Sequence, residues 1–421
     1  MARIETISVQ GNYKPQSGEP RVVPIAQSTT YKYNELNQLA DLFDLKAAGY
    51  FYSRIGNPTV AALEEKVALL EGGVAALATS SGQAANTFAL LNILKTGDNF
   101  LLSSKVYGGS INVFENTFKK FGIDVIKFDL DSSAEEIKAL ANEKTKAIFG
   151  ETISNPTLEV LDLEKIVSVG KDLGVPVIVD ASLTTPYLLR PLDYGVNIVT
   201  HSSTKYLDGH AAALGGIIVD GGNFDWNNGK FPELVEPDPT YHGLSYTETF
   251  GNQAYIVKAR VQLLRDLGSC QSPFNAYITN QNLETLHLRL ARHSENALAV
   301  AKFLESHKNI ESVNYPGLES NKYYENAKKY LPKGASGVLS FNIKGSIENA
   351  KIFVGKLKLV ALVTHVADVR TSVIHPASTT HRQLSEEELL EIGISPTLIR
   401  LSVGIENVDD IIEDLSQALD F

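Results

Sequence analysis

The chain is poor in cysteine, in runs of one charge and in long apolar stretches. Its one cysteine, Cys270, excludes an intramolecular disulfide and a metal site built from cysteines. A net charge of −11 with no long basic run argues against nucleic acid and against anionic membrane as partners. No apolar run approaches the roughly 20 residues that span a bilayer. The opening Met1-Ala2-Arg3-Ile4-Glu5-Thr6 lacks the apolar centre of a signal peptide. Internal repeats and low-complexity tracts are missing too. These absences predict a soluble, cytoplasmic protein. What is present is 43% apolar residues, ample for a sizeable core, over 421 residues, which suits two domains or one large domain with a smaller one.

Residues 1–50 read as an N-terminal arm, loop-like at Gly11-Asn12-Tyr13-Lys14-Pro15 and Gln16-Ser17-Gly18-Glu19-Pro20. Short apolar runs then alternate with helical patterns. Ala75–Thr79 predicts a strand, followed by a Ser-Ser-Gly turn and a helix to about Leu94. Further buried strands are expected at Phe100–Leu102, Val125–Phe128, Ala147–Phe149, Val177–Val179, Ile198–Val199 and Gly215–Asp220. Such runs, separated by helices, predict a mostly parallel sheet flanked by helices on both faces. Residues 221–246, rich in Gly, Asn and Pro, read as an irregular insertion. A long helical stretch near 281–307 leads to strands at Gly337–Phe341 and Leu398–Ser402. The division expected is 1–50, a large α/β unit over 51–275, and a smaller α/β unit over 276–421.

Two adjacent runs end in reactive residues. Val177-Ile178-Val179 ends in Asp180, and Ile198-Val199-Thr200 leads to His201-Ser202-Ser203-Thr204-Lys205. A pyridoxal 5'-phosphate (PLP) site needs this set. A lysine amine bonds covalently to the cofactor aldehyde, and a carboxylate pairs with the protonated ring nitrogen and keeps the ring an electron sink. Ser202 and Thr204 can donate to the phosphate. Ser80-Ser81-Gly82-Gln83 lies between a strand and a helix, where the amides of Gly82 and Gln83 and the helix N-terminus favour an anion.

The stretches Asp180–Tyr187 and Lys205-Tyr206-Leu207-Asp208-Gly209-His210 resemble the PLP-dependent enzymes of Cys/Met metabolism. The resemblance runs from Tyr52-Ser53-Arg54 to Ile399-Arg400-Leu401-Ser402-Val403-Gly404 and keeps the motifs in the family's order. It implies the type I fold of PLP-dependent transferases and places the phosphate cradle at Ser81-Gly82-Gln83 with Ser202 and Thr204. It also implies that Tyr107 stacks on the pyridine ring, that Asn155 lies near the cofactor's phenolic oxygen and beside the substrate, and that Arg400 holds the substrate α-carboxylate. Tyr52 and Arg54 are expected to reach a neighbouring subunit's phosphate, so the resemblance implies a homo-oligomer, a dimer at least, with a homotetramer as the fuller expectation.

Within the family, three features resemble the subgroup that joins sulfide to O-acetyl-L-homoserine, releasing L-homocysteine and acetate in methionine biosynthesis. The insertion carries Phe224-Asp225-Trp226 and Pro237-Asp238-Pro239-Thr240-Tyr241-His242-Gly243. The stretch Val373-Ile374-His375-Pro376-Ala377-Ser378-Thr379-Thr380-His381 follows the subgroup's form. Gly108-Gly109 follow Tyr107 where methionine γ-lyases carry a cysteine. A γ-lyase and a non-catalytic PLP-binding protein remain as alternatives. The chain also departs from the family: Ala181 replaces Asn, Asp208, Ala211 and Ala367 replace Gly, and His365 replaces a small polar residue. His365 therefore reads either as a substrate-binding residue that alters substrate choice or as a structural histidine.

Overall fold

The computed structural model describes residues 2–380, 382, 385–391 and 393–420. Seven strands form the larger sheet: β1 (Ala75–Thr79), β2 (Asn99–Ser103), β3 (Asp124–Phe128), β4 (Thr145–Glu151), β5 (Val177–Asp180), β6 (Ile198–His201) and β7 (Gly216–Asp220). Their order is β1-β7-β6-β5-β4-β2-β3, parallel except for β7, which runs against both its neighbours. Successive residues serve opposite faces of a sheet. Val177 and Val179 join one apolar cluster while Ile178 joins the other, and Ile217 and Val219 oppose Ile218 in the same way. Both faces are thus buried at the middle of the sheet, so β5 and β7 are apolar runs, whereas the edge strand β3 keeps Asp124 and Lys127 exposed.

The smaller sheet contains β8 (Ile310–Asn314), β9 (Val338–Ile343), β10 (Ala361–Leu362), β11 (Ser372–Ile374) and β12 (Leu398–Ser402), ordered β10-β11-β12-β9-β8. Leu339, Phe341, Ile399 and Leu401 from this sheet extend the same cluster that holds Val177 and Val179, so one core joins the two sheets. Among the described residues no helix is long and apolar enough to cross a membrane.

The stretch 11–20, expected to be loop-like, holds no helix or strand, but the arm on either side of it contains helices Ile4–Gln10 and Leu36–Phe43. At 7 and 8 residues these are too short to announce themselves by periodicity. The helix after β1 ends at Leu91, three residues before the expected limit. The long stretch near 281–307 is a helix over Leu286–Ser306, preceded by a separate one over Pro273–Asn282. The 221–246 segment holds only short turns of helix, among them Pro232–Val235. His381, the last residue of the Val373–His381 stretch, lies outside the described residues.

Candidate active site

Parallel strands β4, β5 and β6 deliver their C-terminal ends to one side of the sheet, the usual place for a ligand in such folds. Glu151 and Asp180 end β4 and β5 in register with each other. Beyond β6 the chain turns through Ser202 to Lys205. From the other side β12 brings Arg400, paired with Ser340 and Ile374. Between them lies a cavity of about 350 Å³ that brings together Ser81, Gly82, Gln83, Tyr107, Asn155, Asp180, Ser202, Thr204, Lys205, His365 and Arg400. Eleven of the thirteen residues singled out from the sequence thus share one cavity.

Tyr52 and Arg54 are the two that do not reach it. The Arg54 guanidinium lies 5.3 Å from the centre of the Tyr52 ring and donates to the Arg265 carbonyl at 2.6 Å. Tyr52 remains 40% exposed.

Lys205 is half-buried, and among the described residues it has no carboxylate within ion-pair reach. Its Nζ lies 3.4 Å from His365 Nδ1. Burial, helped by the positive Arg400, brings its pKa down to about 8. An amine so placed has an appreciable neutral fraction near neutrality and is ready as a nucleophile and base. Burial pushes the His365 pKa down to about 4, with Lys205 adding to the shift, so its imidazole is neutral. His365 Nε2 is buried without a hydrogen-bond partner among the described residues.

Asp180 is held on both oxygens: Asn86 Nδ2 donates to one at 2.9 Å and the Ser182 amide to the other at 2.9 Å. Arg400 is 7% exposed, and burial lowers its pKa to about 10. Its two terminal nitrogens donate to Asn155 Oδ1 and to the Thr364 carbonyl, each at 3.2 Å. Neither acceptor is an anion, so among the described residues the buried guanidinium has its charge unmatched, which is costly unless a ligand carboxylate joins it.

Ser81 caps the helix Gly82–Leu91, accepting the Ala84 amide on its Oγ at 3.2 Å. The first amides of a helix have no partner within it. Gly82 lets this turn approach Ser202 closely, because a Cβ there would sit 2.5 Å from Ser202 Cβ. Gln83 Nε2 donates to the Gly109 carbonyl at 2.9 Å, so its side chain braces the loop after Tyr107. The Thr204 hydroxyl exchanges hydrogen bonds of 3.1 Å with both the carbonyl and the amide of Gly215. Tyr107 presents its ring 48% exposed.

The cavity's chemistry fits PLP. It offers a cradle of amides and hydroxyls for a phosphate, a fixed carboxylate for a ring nitrogen, a buried amine for an aldehyde and an exposed aromatic face.

Glu151, Asn86 and Ser182 also belong to the site, and the sequence reading passed over them. Glu151 could have been found by its likeness to Asp180, since each closes an apolar run. Asn86 lies within a helix and carries no local signal. Two departures from the family pattern have a backbone meaning: Ala211 (φ 56°) and Ala367 (φ 68°) occupy the left-handed region that favours glycine.

Residues 5–420 match the model of the Cys/Met metabolism PLP-dependent enzymes. The chain is 48% identical to an O-acetyl-L-homoserine sulfhydrylase of Leptospira meyeri over 99% of this chain and 96% of the relative. It is 46% identical to O-acetyl-L-homoserine sulfhydrylase 1 of Thermus thermophilus, with 99% and 100% covered. A crystal structure of a protein described as an O-acetylhomoserine (thiol)-lyase from Campylobacter jejuni superposes with a TM-score of 0.96 at 41% identity, covering all of both chains. That protein carries a pyridoxyl-lysine phosphate at position 205.

Proposed function

The chain belongs to the Cys/Met metabolism PLP-dependent enzymes, and from that premise we propose that it converts O-acetyl-L-homoserine and sulfide to L-homocysteine and acetate. The observation that carries the reaction is the whole-length identity of 44–48% with proteins named O-acetyl-L-homoserine sulfhydrylase or homocysteine synthase. The cavity supports it with a carboxylate-seeking Arg400 within one pocket of a mobile base, Lys205.

Bound PLP supplies an electron sink that stabilises negative charge on substrate carbons. Asp180 pairs with the cofactor's ring nitrogen, and its two hydrogen bonds keep it pointed there. Ser81, Gly82, Gln83, Ser202 and Thr204 hold the phosphate, Tyr107 stacks on the ring, and Asn155 lies beside the phenolic oxygen. Arg400 grips the substrate carboxylate with two parallel donors, while Asn155 and His365 complete the substrate's surroundings. Lys205 anchors the cofactor until substrate arrives. It then takes the proton from Cα and serves Cβ in turn. Acetate leaves Cγ with the electron pair of the C–O bond, sulfide forms the new C–S bond at Cγ, and Lys205 returns the protons. One base on a flexible stem can reach successive carbons on one face.

Tyr52 and Arg54, turned away from their own cavity, serve a neighbouring copy in a homo-oligomer, at least a dimer and in the fuller reading a homotetramer. The working division is an arm over 1–50, a cofactor-binding unit over 51–275 and a substrate-binding unit over 276–421, in keeping with the two sheets.

The test is a product assay. With O-acetylhomoserine and ample sulfide, homocysteine should far exceed 2-oxobutyrate, and methionine alone should give almost no keto acid. Efficient cleavage of methionine, with products unchanged by sulfide, would replace this reading by a γ-lyase.

A further inference from the structure

Glu151 stands at the floor of the cavity with no established task. It ends β4, is 7% exposed, and has no cationic partner among the described residues. Its Oε1 accepts the Tyr107 amide at 2.7 Å, and the Asn155 backbone amide approaches the same carboxyl closely enough to favour its charged form. These amides belong to two loops that flank the cavity. The Tyr107 ring is half exposed, so side-chain packing does little to orient it. The ring lies back over Gly109, where a Cβ would be 2.4 Å from Tyr107 Cε1. Its direction therefore depends on how the backbone at residue 107 is held. Asn155 in turn accepts from Arg400 through its side chain.

We propose that Glu151 is a positioning residue that ties the Tyr107 ring to the Asn155–Arg400 pair, so that cofactor stacking and substrate-carboxylate binding are set by one carboxyl group. This rests on the roles given above to Tyr107 and Arg400. Burial, reinforced by the neighbouring Asp180, pushes the Glu151 carboxyl well above the usual carboxylate range. The shift lessens the negative charge placed beside Asp180 and leaves the carboxyl oxygens able to accept amides. Asp180 is held separately, by Asn86 and Ser182.

The acceptor and not the charge is then what matters, and three variants separate the two. Glu151→Gln keeps a carbonyl acceptor. It should preserve the visible circular dichroism of bound PLP and raise the KM for O-acetylhomoserine no more than about threefold, less than the loss of one hydrogen bond. Glu151→Leu removes the acceptor. It should lose most of the circular dichroism band, because the stacked ring is no longer held at one angle, and raise KM about tenfold as the amides lose their acceptor. Combined with Asn155→Ala, it should raise KM little beyond the larger single effect, since the two act along one path. If Glu151→Leu does not fold, Glu151→Asp carries the same test, because its shorter arm cannot reach both amides. The proposal is overturned if the Leu or Asp variant lowers only thermal stability and leaves band and KM unchanged, or if Gln fails as badly as Leu. The dichroism is recorded without ester or thiol, so it remains decisive even if the product assay overturns the reaction.

Discussion

A Gly82→Ala substitution places a methyl carbon 2.5 Å from Ser202 Cβ, 2.8 Å from Ser202 Cα and 2.9 Å from its Oγ. Two effects compete. Alanine favours a helix over glycine by at most ~1 kcal/mol in the interior, and by less at a first position. Forcing a methyl into filled space costs about 1–3 kcal/mol. The clash wins, and Ser202 cannot retreat by a side-chain rotation because one contact is with its Cα. Its backbone follows directly on β6, and its amide donates to Ser182 Oγ at 2.6 Å. The start of the helix Gly82–Leu91 must therefore move, and with it the amides assigned to the phosphate. Losing one or two charge-assisted bonds of about 1.5–3 kcal/mol each should weaken PLP binding by at least roughly tenfold, and by about 10²-fold or more where both are lost. The assay is titration of the apoprotein with PLP, followed by the visible band, beside thermal melts of apo and holo forms. The loss should concentrate in the holo form. Gly355→Ala, in a helix where the new Cβ meets nothing within 4 Å, is the control and should bind PLP normally. Gly82→Ala protein that binds PLP within about threefold of wild type, well inside the loss of a single such bond, would refute the cradle assigned to this turn.

Arg400→Lys keeps the charge but cannot donate to Asn155 and Thr364 in parallel, so the substrate KM should rise about tenfold, near the loss of one hydrogen bond, while the cofactor spectrum stays normal. A collapsed spectrum with unchanged KM would make Arg400 part of the scaffold. Relief of the left-handed backbone at exposed Ala211 should let Ala211→Gly stabilise the protein by about 0.5–1 kcal/mol, the ~1–2 kcal/mol of strain less the added freedom of the unfolded chain. Ala367 is fully buried, so Ala367→Gly loses about 0.8 kcal/mol of methyl burial and should be nearly neutral. The reverse order in thermal melts would contradict this account. Burial lifts the Asp220 pKa to about 7, above its unfolded value of 3.8. Its contribution to stability is therefore full below that lower value and is lost as pH rises through about 7. The melting temperature of Asp220→Asn relative to wild type should climb between pH of about 5 and 8, and a constant difference would show that Asp220 does not titrate in this range.

Much of the site was legible because a parallel sheet concentrates its chemistry at strand ends. Lys205 and Asp180 each follow an apolar run, and Arg400 sits within one. The reversed direction of β7 was not legible, since Ile217-Ile218-Val219 buries both faces equally well whichever way it runs. Glu151 was hidden for a different reason. Its place at the end of an apolar run likens it to Asp180, but a carboxylate there usually meets water, and the Tyr107 amide that closes over it is brought there by the fold. The N-terminal helices escaped notice because contacts, not propensity, hold 7- and 8-residue segments. The glycine-like backbone at Ala211 and Ala367 was foreshadowed by the family pattern, although alanine itself gives no such cue.

Lys205 lies just beyond β6 of the larger sheet, Arg400 lies in β12 of the smaller one and His365 in the chain between β10 and β11, and all three line one cavity. Cofactor and amino-acid substrate thus act as mortar between two blocks. An anion bridging the seam matches the unpaired charge of Arg400 and pins the blocks together, and by linkage whatever fixes the blocks tightens the grip on the anion. On the proposed role of Arg400, residues in the shared core beneath would inherit leverage over affinity, and a slackened joint would be felt first as a looser hold on the substrate carboxylate.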